Sequence, residues 1–126
     1  YDRENRKPWP KGRPAPAVWG EAPDALTRRV MARVARWAWC WGPADGFALP
    51  VTRGGALAWL ERFAEERLPE FGAYQDAMVD GAPDLLHSTL APLLNVGLLH
   101  PLEVVRRAER AYREGRAPVA GVEGFV

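Results

Sequence analysis

A single cysteine, Cys40, stands in the whole sequence. That excludes an internal disulfide and any metal site built from cysteines alone. Histidine is almost as scarce. His87 and His100 lie far apart, and neither an H-E-x-x-H nor a C-x-x-C pattern occurs. A metal centre is therefore not expected, and each histidine is read as a helix cap or a hydrogen-bonded core residue. No apolar run approaches the roughly 20 residues needed to cross a bilayer. No signal peptide is visible, so no membrane partner and a cytoplasmic location are expected. Excess charge is missing too: 17 Lys and Arg against 16 Asp and Glu leave +1. No global field draws such a chain to nucleic acid or to a membrane surface. Alternating apolar and polar residues never run long enough for a strand.

What remains is a chain of 126 residues, 48% hydrophobic, long enough to bury a core. It starts at Tyr1 rather than Met and stops at "EGFV", and is expected to be a piece of something longer. Residues 1 to 23, "YDRENRKPWPKGRPAPAVWGEAP", hold five of the twelve prolines. Proline removes backbone donors and extends its predecessor, so this segment reads as a linker or arm that Trp9 and Trp19 dock onto a surface. Its first 16 residues are locally basic, with five cations against Asp2 and Glu4.

From Asp24 the periodicity is helical. Leu26, Val30, Val34 and Trp37 share one face, with Asp24 or Thr27 as cap. Gly42 and Pro43 end the helix after "WAWCW". Thr52 caps a second helix over 53–67, with Leu57, Leu60, Phe63 and Ala64 as its stripe, closed by Pro69 and Gly72. Ser88 is expected to cap a short helix over 89–96, with Pro92 in its first turn. A helix over 102–114 has Val105, Ala108 and Tyr112 inward and the pairs Glu103–Arg107 and Glu109–Arg113 in favourable order. A last helix starts near "GVEGFV". The fold class is all-α, with four or five helices.

Most candidate chemistry has an ordinary explanation. Ser88 beside His87 makes no triad, since sequence neighbours rarely aim at each other and no G-x-S-x-G surrounds them. Cys40 reads as a small buried apolar group, and Glu65 and Glu66 as a solvated face. Trp37, Trp39 and Trp41 could stack on a ring, but a packed helix end is favoured because aromatics mainly supply buried area. The arginines from Arg28 to Arg36 read as a solvated face rather than phosphate contacts. The segment "LLHSTLAPLLNVGLLHP" is different: His87, Ser88 and Thr89 place hydrogen-bonding groups where a buried helix should begin. A helix start offers unpaired N–H groups and partial positive charge, which suits an anion. Ser88 as a plain N-cap is the simpler reading of the same residues.

The order of segments tilts this choice. "ENRKP", then "FALPVTRGGALAWLERFAEERLPEFGAYQDAM", then "LLHSTLAPLLNVGLLHPLEVVRRAE" and "AGVEGF" together resemble the photolyase/cryptochrome superfamily. The likeness is to its bacterial iron–sulfur branch, the deoxyribodipyrimidine photolyase-related proteins and bacterial (6-4) photolyases, and covers nearly the whole chain. The resemblance implies an arm at 1–23 and the N-terminal part of a helical FAD-binding domain at 24–126. It implies light-driven, FAD-dependent repair of UV-damaged DNA, of (6-4) photoproducts in particular. Family members hold FAD phosphates with a tyrosine followed by T-S-x-L-S-P; here Tyr74 takes the tyrosine position, and His87, Ser88, Thr89, Leu90, Ala91 and Pro92 the segment. His87 and Ala91 depart from that pattern, so the match rests chiefly on Ser88 and Leu90.

The same resemblance implies partners absent from these residues: an N-terminal antenna domain with its chromophore, and the other half of the FAD domain carrying a 4Fe–4S cluster. Cys40 matches no cluster ligand. No catalytic or metal-binding residue is assigned within these residues, and by themselves they are expected to be inactive in repair. A cryptochrome-like blue-light photoreceptor and a flavin-free helical interaction module are the alternative readings.

Overall fold

The structure, a computed structural model, describes residues 4–126. Among the described residues six helices follow one another: α1 (Ala25–Val34), α2 (Arg53–Glu66), α3 (Leu68–Tyr74), α4 (Ala91–Asn95), α5 (Pro101–Arg113) and α6 (Val119–Phe125). No strand occurs among the described residues, so the all-α expectation holds. The chain forms two compact units, residues 19–51 and the remainder.

In the larger unit, the Thr52 hydroxyl accepts the Gly55 N–H at 3.1 Å and starts α2 as expected. The helix buries Ala56, Trp59, Leu60, Phe63 and Ala64. Leu57, expected on that stripe, is 38% exposed; the buried face is centred on Leu60 and Phe63, and Ala56 and Trp59 complete it. Pro69 does not close a helix. It sits in the first turn of α3, where its missing N–H costs little. The expected break is therefore a junction between two helices.

α3 lies against α6 with glycine facing glycine. A Cβ on Gly72 would come within 2.6 Å of the Gly121 Cα and collide with the Asn5 amide. The arm uses that closeness. Its Arg6 and Lys7 N–H groups donate to the Gly72 and Ala73 carbonyls at 3.2 and 2.6 Å, and the Asn5 side chain donates to the Ala120 carbonyl at 2.9 Å. Phe63, Phe71 and Phe125 pack together, with ring centroids 4.6 to 6.1 Å apart.

His100 caps α5. Its Nδ1 accepts the Leu102 N–H at 3.2 Å, while Glu103 accepts the His100 N–H at 2.9 Å, a reciprocal box. The inner face of α5 is Val104, Arg107, Ala108 and Ala111; Tyr112, expected inward, is 48% exposed. The expected Glu103–Arg107 pair does not form. Glu103 is taken by Arg53, and Arg107 turns inward to Glu61 at 2.6 Å. Glu109–Arg113 forms at 2.7 Å.

The smaller unit starts as expected, with Asp24 accepting the Thr27 N–H at 2.7 Å. That bond holds the Asp24 carboxyl below its ordinary range. Two expectations fail beyond it. The apolar face of α1 is not an inner face: Leu26 is 59% and Val30 51% exposed, and only Thr27 is buried. Nor do the tryptophans form a packed helix end. α1 stops at Val34, and Trp37 stacks on Trp39 at 5.0 Å while Trp39 and Trp41 stand in solvent. A helical period fixes which residues share a face, not whether anything covers it.

Candidate functional site

Between α3 and α4 the chain runs through a loop with unusual backbone. Leu85 and Thr89 have φ of 40° and 53°, a region that side chains avoid and that β-branched ones avoid most. Such conformations cost about 1–3 kcal/mol and persist only where surrounding contacts impose them. The contacts are identifiable. The Trp59 indole N–H donates to Thr89 Oγ1 at 2.9 Å, and the Thr89 hydroxyl donates to the Ser88 carbonyl at 2.7 Å. Arg67 donates to the His87 carbonyl at 2.6 Å and to the Ala17 carbonyl at 3.4 Å. Burial pushes the Arg67 guanidinium below its ordinary pKa, with Asp84 opposing.

This backbone shortens the helix that follows. α4 begins at Ala91, not at Thr89, because a residue at positive φ cannot enter a right-handed helix. Its N-cap residue is Leu90, with no side-chain cap bond, so Ser88 is not the N-cap. The Ser88 oxygen accepts only a long bond, 3.4 Å, from the Leu90 N–H, which leaves its proton available to a ligand.

Ser88, Leu90 and Ala91 line one wall of a cleft of about 250 Å³, with Leu94, Val104, Val105 and Phe125 among its other walls. No charged side chain lines it, and Ser88 supplies its only polar side chain. One neutral donor beside apolar walls suits a ligand that joins a hydrogen-bond acceptor to a bulky apolar group.

The remaining members of the predicted set point elsewhere. The Thr89 hydroxyl has no proton left to donate, since it goes to the Ser88 carbonyl. The exposed His87 ring lies edge-on to Phe71 at 6.0 Å. Tyr74 meets Trp9 edge-on at 5.1 Å, with the Arg13 guanidinium 5.5 Å from its ring. Arg13 is itself held by two bonds of 2.7 Å to Glu70, which raise its pKa and lower that of Glu70. The structure thus gathers Ser88, Leu90 and Ala91 at one cleft, and Tyr74 does not line it.

Two residues that sequence reasoning passed over, Trp59 and Arg67, hold the loop. A signal existed for Arg67: it continues the buried spacing of Leu60 and Phe63, so a cation falls in line with an apolar face. Among the described residues, no group of three or more His, Cys, Asp or Glu could hold a metal ion. Among the same residues, no helix is long and apolar enough to cross a membrane.

Two comparisons bear on this geometry. The family profile of deoxyribodipyrimidine photo-lyase-related protein matches residues 1–48. Over its full length the chain is 43% identical, across 129 residues, to a protein named (6-4) photolyase from Agrobacterium fabrum (strain C58). The chain spans 25% of the length of that relative.

Proposed function

We propose that this chain belongs to the photolyase-related family and is part of a light-driven, FAD-dependent enzyme that repairs (6-4) photoproducts in UV-damaged DNA. The observation that carries this reading is the 43% identity to a (6-4) photolyase, sustained from one end of the chain to the other. Residues 1–23 serve as an arm between domains, and residues 24–126 as the N-terminal part of the helical FAD-binding domain. The antenna chromophore and the 4Fe–4S cluster take their ligands from outside these residues.

FAD, when bound, supplies the light absorption and the electron for repair. The residues here bind and shield. Ser88 donates its hydroxyl proton to a phosphate oxygen. Leu90, Leu94 and Val104 keep water from the cleft, which strengthens that bond. Ala91, at the start of α4, adds to the apolar wall of the same cleft. The Thr89 hydroxyl, already committed, supports rather than binds, and Tyr74 contributes through the packing of α3 against the arm.

The test uses the full polypeptide that carries this chain, purified in the dark and assayed under blue light on DNA holding a (6-4) photoproduct or a cyclobutane dimer. Flavin absorption together with light-dependent loss of the (6-4) lesion is expected. A colourless protein would leave only the helical-module alternative. A flavin-bearing protein that repairs neither lesion would favour a photoreceptor.

A further inference from the structure

Trp59 lies on α2, thirty positions before the loop, yet its indole N–H meets Thr89 Oγ1 at 2.9 Å. Thr89 can donate its hydroxyl proton to no ligand: the oxygen accepts from Trp59, and the proton goes to the Ser88 carbonyl. That arrangement is costly for a β-branched residue at φ 53°. Were Thr89 to relax to an extended or helical conformation, the peptide joining it to Ser88 would turn, and the Ser88 side chain would turn with it. Of the three non-glycine residues at positive φ among the described residues, Leu85 and Thr89 share this loop, and strain imposed by identifiable bonds is the pattern of a pre-organised site. The other end of the loop is fixed independently. Arg67, 2% exposed, holds the His87 carbonyl at 2.6 Å.

We infer that Trp59 is a positioning residue: acting through Thr89, it locks the loop so that the Ser88 hydroxyl faces the cleft ready for a phosphate oxygen. This rests on the reading of the Ser88 segment as part of an FAD site. Thr89 is then a latch rather than a ligand, and the donor count at the cleft is one hydroxyl, not two. The lock acts before any ligand arrives, so its effect is on affinity and not on the shape of the bound state.

The experiment measures FAD affinity of the full polypeptide by flavin fluorescence, together with the indole N–H resonance of Trp59. Trp59→Phe and Thr89→Val are each expected to weaken FAD binding by up to about fivefold, the loss expected for removing the Ser88 hydroxyl itself. The double variant should be no weaker than either single one, because both remove the same bond. Thr89→Ser keeps the hydroxyl and should bind within about twofold of the unmutated protein, with the Trp59 resonance unmoved. Thr89→Gly tolerates φ 53°, so it folds without the lock and should lose FAD like Thr89→Val. Additive losses in the double variant would overturn the inference, as would unweakened binding by Thr89→Val or Thr89→Gly. So would sensitivity at Thr89 combined with indifference to Ser88→Ala. An unmutated protein that takes up no FAD would instead sink the functional reading beneath it.

Discussion

Glu103 receives three hydrogen bonds, two from the Arg53 guanidinium and one from the His100 N–H. Arg53 first, and then the His100 N–H, push its pKa from the ordinary 4.5 down to about 2. A carboxylate held below its unfolded value stabilises the fold fully above pH 4.5, and that contribution is lost as the pH falls toward 2. The pair is solvent-exposed, so the effect is small. Urea midpoints measured from neutral pH down through this window should fall for the parent chain and fall less for Glu103→Gln. Equal slopes would show that Glu103 is not the group titrating. Ser88 offers a second residue-scale test. Because it does not cap α4, Ser88→Ala should leave stability within about 0.5 kcal/mol, as ordinary surface changes do. Flavin affinity should nevertheless drop by about 1 kcal/mol, the worth of one hydrogen bond. A fall in melting temperature with flavin affinity intact would return Ser88 to a purely structural role. The Ser88-to-Ala91 stretch was legible because hydroxyls at a helix start are conspicuous. The division of labour within it was not, because the partner of Thr89 is thirty positions away.

Between elements, two contacts carry expectations of their own. The approach of α3 to α6 depends on Gly72, whose missing Cβ leaves room for Gly121 and for Asn5. Gly72→Ala should cost about 1–3 kcal/mol through overpacking and should loosen the arm as well. Chemical denaturation would register the first effect, and faster amide exchange at Arg6 and Lys7 the second. Between α2 and α5 lies Arg107, 4% exposed, bonded to Glu61 and with Nη1 buried and lacking any partner. A buried cation so incompletely satisfied adds little stability beyond its volume. Arg107→Met should therefore change stability by less than about 1 kcal/mol, while Arg107→Ala should cost about 2 kcal/mol or more for the cavity. Comparable losses in both would show that the charge itself matters. Helix existence was legible here from period and caps: Asp24, Thr52 and Pro101 all mark starts. The inner face of α5 was missed because an arginine occupies its centre, and apolar periodicity cannot count a cation as buried.

For the molecule as a whole, stability should be uneven. α2 buries a face centred on Leu60 and Phe63, and α5 one of Val104, Arg107, Ala108 and Ala111, whereas α1 buries only Thr27 and leaves Leu26 and Val30 more than half exposed. Amide exchange read by mass spectrometry should find residues 25–34 losing protection well before residues 53–66 and 101–113, since local opening tracks buried contact. Uniform protection would contradict the exposed face. The sequence by itself determined the all-α class, the starts of α1, α2 and α5 and the polar segment before α4, because capping, proline placement and apolar period act over a few neighbouring residues. Only the tertiary structure decided which faces are covered, that Arg67 and Arg107 go inside, and that Thr89 is bent into a left-handed conformation by Trp59. Those outcomes depend on contacts between residues twenty to fifty positions apart, and no local pattern encodes the partner at the far end.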